Sequence, residues 1–216
     1  MEPHCTSARM LQLWRMKGRL AVLMIVSVAA CAGRVEPAAS IVPCDAGARH
    51  WAPDARNAVR DLRVWIDVAA QTHDGWSPYG WRRLRVAMSE WNSIKLPIRL
   101  VEARSARESD IVVDIIEAIP GQTREHRDQA GVTTLTHESG TILRARVFVA
   151  ISAPFGVRYS VADQIANLTH ELGHALGVPH AEGTRALMSV RRVGAELTAA
   201  DIALARRHFG CAVRGS

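Results

Sequence analysis

Apolar residues change period along the chain, and each period predicts an element. Leu62, Val64, Ile66 and Val68 alternate with Arg63, Trp65, Asp67 and Ala69, and a two-residue period puts alternate side chains on one face of a strand. Residues 75–80 carry glycine-rich turn chemistry. Trp81, Leu84, Met88 and Trp91 then recur at three- and four-residue spacing, which predicts a helix over about 81–92. Two more strands are expected at 98–101 and 111–116; the second is nearly continuous in apolar residues and suits the centre of a sheet. After the Pro120-Gly121 break, residues 131–135 suit a short edge strand, and 142–151 form the strongest strand pattern of the set.

Two later helices have marked ends. Ser160 with Asp163 makes a capping-box pattern, and Val161, Ile165, Leu168, Leu172 and Leu176 form an apolar stripe that closes at Gly177. A helix over about 161–176 follows. Thr198 with Asp201 opens another, with Leu197 placed to pack on Ile202, Ala205 and Phe209 on the buried face, and Gly210 expected to stop it. Residues 61–216 therefore read as one domain. Residues 32–60, rich in Ala, Pro, Gly and Arg without a sustained period, read as a linker or amino-terminal arm.

Composition narrows the class. At 216 residues, 48% apolar and 22% charged, the chain suits one globular core rather than a disordered or coiled-coil polypeptide. The formal charge of +6 comes from 27 basic and 21 acidic residues; four of the former and one of the latter lie in the first 31 positions, leaving 23 and 20 beyond. That near balance, with arginines scattered over separate elements, speaks against a nucleic-acid partner. Arg15, Lys17 and Arg19 precede an apolar run over 20–30 that ends in Val28-Ala29-Ala30-Cys31. Basic, apolar and small-residue segments in that order read as an export signal over 1–31, and the run is too short for a spanning helix. Its end resembles the lipobox of bacterial lipoproteins, which implies a lipid anchor at Cys31; free secretion is the alternative. The expected location is the periplasm or cell exterior. In that oxidising setting Cys44 and Cys211 either bridge the ends of the domain, stay as thiols, or leave Cys44 free to block a metal.

Three of the nine histidines fall in one window, His170-Glu171-Leu172-Gly173-His174-Ala175-Leu176-Gly177-Val178-Pro179-His180. On the predicted helix His170 and His174 stack on one face, away from Leu168 and Leu172, so both imidazoles can reach one ion. Gly177 can take the left-handed conformation that ends a helix, and Pro179 stiffens the return that brings His180 toward the same ion. Three imidazoles with one position left open are a catalytic Zn²⁺ donor set, whereas a structural site fills its fourth position with Cys or His. Glu171 is not needed as a ligand and can serve as a general base.

This stretch resembles the zinc-binding motif of the metzincin metalloendopeptidases, and Ala186-Leu187-Met188-Ser189 is similar to the Met-turn of their matrixin branch, the matrix metalloproteinase-like family, here of a bacterial lipoprotein type. The resemblance covers most of residues 61–210. It implies an α+β zincin-like catalytic domain with a twisted, mostly parallel sheet, one antiparallel edge strand above the cleft and about three helices. It further implies a zinc-dependent metalloendopeptidase that hydrolyses peptide bonds with a zinc-activated water. His170, His174 and His180 would be the ligands, Glu171 the general base, and Gly177 and Met188 the structural support of the site. The partner is then a protein or peptide substrate added along the edge strand over 131–135, and the chain is expected to act as a monomer. The alternative is a catalytically inactive surface lipoprotein that uses the same fold as a binding module. Matrixins also carry structural zinc and calcium. His126, Asp128 and His137 offer a remnant of such a second site, although a solvated loop suits them too.

Overall fold

The computed structural model describes residues 49–54, 59–67, 77–119, 130–153, 156–182, 185–190 and 196–212. The expected export signal with Cys31, the arm through Cys44 to residue 48, Val68, Gly75, the Pro120-Gly121 break, His126, Asp128 and the side chain of Cys211 lie outside the described residues.

In chain order the elements are β1 (His50–Trp51), β2 (Arg60–Ile66), α1 (Ser77–Ser93), β3 (Ile98–Glu102), β4 (Ile111–Ile116), β5 (Gly131–Glu138), β6 (Thr141–Ala150), α2 (Val161–Ala175) and α3 (Ala199–Ala212), with one 3-10 turn at Ala106–Glu108. The alternation in β2 is that of a strand with one buried face, since Leu62, Val64 and Ile66 are buried and Asp61 and Arg63 are exposed. β4 is buried along almost its whole length and lies between β2 and β6, as its continuous apolar run requires. The six-stranded sheet runs β1-β6-β4-β2-β3, all parallel, and β5 adds to β6 antiparallel. This is an α+β domain with a mostly parallel sheet and three helices among the described residues.

Helices α1 and α2 share a core with the sheet, built from Leu84, Trp91, Leu168 and Leu172 with Leu62, Val113, Ile115 and Val147. The Trp91 indole N–H donates to the Thr169 carbonyl at 2.7 Å, which pins α1 to α2 one residue before His170. Asn92 exchanges two bonds with the Leu100 backbone, at 2.9 and 2.8 Å, and so fixes α1 on β3.

Four boundaries differ from the sequence expectation. Helix α1 starts at Ser77, so residues 77–80 are helical rather than turn. Pro78 sits in the first turn, where its missing N–H would have had no partner in any case. Strand β5 extends beyond 135 to Glu138 because Ser139 and Gly140, with φ of 47° and 81°, make a tight hairpin that carries the pairing to Glu138↔Thr141, with a bulge between Thr136 and His137. Helix α3 passes through Gly210 to Ala212; Gly210 does not take the positive φ that a helix-stopping glycine adopts. The sheet also begins earlier than 61, with β1 drawn from the expected arm and β2 starting at Arg60. Trp51 explains β1: it is buried, and its indole donates to the Ala175 carbonyl at 2.9 Å, where α2 ends.

Candidate metal centre

Helix α2 begins as its sequence dictates. Ser160 Oγ accepts from the Asp163 N–H at 3.1 Å, and the hydroxyl donates back to Asp163 Oδ2 at 2.6 Å. With that start, Leu168 and Leu172 fall fully in the core and His170 and His174 on the half-buried opposite face. The far end closes in a Schellman motif: the Gly177 N–H donates to the His174 carbonyl and the Val178 N–H to the Gly173 carbonyl, both at 2.9 Å. Gly177 has φ +92°, and a β-carbon there would strike the Arg49 carbonyl and the His208 ring. Glycine is thus required twice over, for backbone conformation and for space. The chain doubles back and presents His180.

The three rings converge. His174 Nε2 lies 3.0 Å from His170 Nε2 and 3.1 Å from His180 Nε2, and the rings of His170 and His180 meet that of His174 nearly edge-on, at 84° and 89°. Carbonyl oxygens fix the tautomers, because they only accept. His170 Nδ1 donates to the Leu187 carbonyl at 2.7 Å, and His174 Nδ1 donates to the Val178 carbonyl at 3.0 Å. In the neutral rings both Nε2 atoms are therefore bare acceptors facing each other, an arrangement a bound cation would relieve. Burial, reinforced by the neighbouring His170 and His180, pulls the pKa of His174 down to about 4, and burial also lowers that of His180. For His174 and His180 burial thus favours the unprotonated form that a metal ligand needs. Among the described residues these three form the one cluster of side chains able to hold a metal ion, and no fourth Cys, His, Asp or Glu joins it.

Glu171 is 5% exposed, and its Oε2 accepts from the Thr133 hydroxyl at 2.6 Å. Burial pushes its carboxyl up to about 7 against the opposing pull of that hydrogen bond. A cation on the adjacent histidines would lower it again by favouring the charged form.

Met188 is fully buried beneath the helix, and a β-carbon on Gly173 would overlap both its sulfur and the Trp91 ring. The intervening glycine of the motif thus lets α2 settle on Met188. Asp201, read from sequence only as a helix cap, has a second task. Its fully buried carboxylate accepts from the Thr198 N–H and hydroxyl at 2.8 and 2.7 Å, and also from the Leu187 and Met188 N–H groups at 2.9 and 2.8 Å. Leu187 in turn presents the carbonyl that orients His170. Asp201→Ala should therefore cost about 3 kcal/mol or more, at roughly 1–3 kcal/mol for each buried donor left unpaired, and should weaken metal affinity. Urea denaturation with a metal titration checks both; unchanged stability would mean the loop holds itself.

Sequence reasoning brought together His170, Glu171, His174, Gly177, His180 and Met188, and all six lie at this one place in the fold. It missed Thr133 and Gly131, which meet Glu171 from β5; the expected edge strand was the available signal, but its register against α2 was not. His137 is exposed on β5, paired with Ile142, and joins no metal-ligating cluster among the described residues. Among the same residues no helix is long and apolar enough to cross a membrane. The chain matches no protein-family model and no curated protein.

Proposed function

We propose that the chain is a zinc-dependent metalloendopeptidase of metzincin type, exported and anchored by lipid at Cys31. The observation that carries the reading is the convergence of three imidazole Nε2 atoms with a buried, unliganded glutamate one residue along the same helix. The donor set fits zinc. Ligand bonds of ~2.0–2.1 Å in a tetrahedral arrangement put neighbouring nitrogens ~3.3 Å apart, close to the 3.0 and 3.1 Å found here. All three donors are imidazole nitrogens, and no fourth side chain among the described residues joins them, which suits a catalytic rather than a structural zinc site.

Zinc held by His170, His174 and His180 would supply Lewis acidity, polarising a peptide carbonyl and making water a stronger nucleophile at neutral pH. The chain's own groups do the rest. Glu171, anchored through Oε2, takes the proton of the attacking water and passes it to the departing amine. Strand β5 pairs with β6 alone among the described residues, and an extended peptide would add along its other edge as another strand. Met188 gives the imidazoles an apolar floor without acting as a ligand.

Mass spectrometry of a peptide mixture incubated with the purified full-length chain tests the reading. Internal cleavage should appear, vanish with a zinc chelator and return when zinc is restored. Peptides left intact by the zinc-loaded chain, or cut equally with chelator present, would overturn it.

A further inference from the structure

The edge strand does more than border the cleft; it touches the side chain of Glu171 at two points. Thr133 Oγ1 lies 2.6 Å from Glu171 Oε2 and 3.0 Å from the carbonyl oxygen of the same residue. One hydroxyl thus lies within reach of both the side chain and the main chain of Glu171, where β5 meets α2. Two positions earlier on the same face of β5, Gly131 leaves the space in which the carboxylate lies: a β-carbon there would overlap Glu171 Cγ and come within 2.7 Å of Oε1. A hydroxyl carries one hydrogen, and a charged carboxylate is the stronger acceptor, so the bond goes to Oε2. The hydrogen bond recorded for the carboxylate is to Oε2, so Oε1 is the oxygen that Thr133 leaves unengaged.

We propose that Thr133 is a positioning residue for Glu171: its hydroxyl, presented from β5 beside the Gly131 slot, holds Oε2 and leaves Oε1 as the oxygen that handles the proton. The inference rests on the peptidase reading for its kinetic consequence, but not for its geometry. The strand along which a peptide would add is then also the strand that sets the base, so substrate docking and base orientation share one element.

Thr133→Val removes the hydroxyl, keeps the shape and retains a β-branched residue suited to a strand. Thr133→Ser restores the hydroxyl. In the full-length, zinc-loaded protein Thr133→Val should lower kcat about 10- to 100-fold, the usual range for a residue that orients a working group, with KM and zinc content near those of the wild type. Thr133→Ser should recover most of the loss. Crystal structures of wild type and Thr133→Val supply the second readout, in which the Glu171 carboxylate should leave its position in the variant. A wild-type kcat in Thr133→Val, a loss confined to KM, or failure of Thr133→Ser to rescue would overturn the proposal. If the wild type cuts no peptide, the peptidase reading falls, and the crystal structures still decide: an unmoved Glu171 overturns the positioning role, and a displaced one supports it.

Discussion

Glu171→Ala should keep its zinc and lose peptide hydrolysis by roughly 10²- to 10⁴-fold, the span that a positioned general base contributes. The separation of the two properties follows from geometry. The proposed metal donors are the three Nε2 atoms, and the groups that aim His170 and His174 are the carbonyls of Leu187 and Val178, so no link in that chain passes through the Glu171 side chain. The carboxylate is buried and bonded only to Thr133 among the described residues, a position that suits proton transfer better than stability. Glu171→Gln is the cleaner companion, because it keeps the volume and an acceptor for the Thr133 hydroxyl but cannot take up a proton. Zinc content by atomic emission and turnover on a quenched peptide check both variants. Unchanged turnover would remove Glu171 from the mechanism. A wild type that binds peptides without cutting them would point instead to a binding module on the same fold, for which the intact Glu171 has no use.

The parts of this molecule written in local periodicity were legible in advance. Helix α2 is the best case: its start at Ser160, its leucine stripe, the phase that sends His170 and His174 to the other face, and its stop at Gly177 are all set within neighbouring turns, and each stands in the structure. What local pattern does not carry is partnership across the sheet. β1 is two residues long and exists because Trp51 finds a buried slot and the Ala175 carbonyl, 124 residues away. The first turn of α1 was hidden by Pro78 and Gly80, residues that signal a turn by type but are tolerated in a helix's opening turn. Thr133 reaches Glu171 across 38 residues, and Asp201 reaches Leu187 across 14, through contacts no period encodes. The three histidines of the candidate metal cluster were thus readable, while the groups that orient them and Glu171 were not.

His174→Ala should abolish both zinc binding and activity, and the effect should exceed that of losing either flanking ligand. His174 holds the middle position, with its Nε2 3.0 Å from one partner and 3.1 Å from the other. Its Nδ1 is also bonded to the Val178 carbonyl, inside the turn that returns the chain to His180. Removing the ring would therefore delete the central donor and one side-chain bond to the turn that leads to His180, whereas His180→Ala would delete a donor from an exposed loop and leave that bond in place; the backbone bonds of the Schellman motif survive in both variants. Binding to the native state alone raises stability by RT ln(1 + [L]/Kd), so a saturating zinc titration should lift the wild-type Tm and leave that of His174→Ala unmoved. Zinc per chain should fall from roughly one to a small fraction of one, the result expected when a three-ligand site loses its central donor. His137→Ala is the control, since His137 is exposed on β5 and takes no part in the cluster; its zinc content and Tm shift should match those of the wild type. Equal zinc stoichiometry in His174→Ala and wild type would move the metal elsewhere on the chain and leave the three-histidine cluster without its ion.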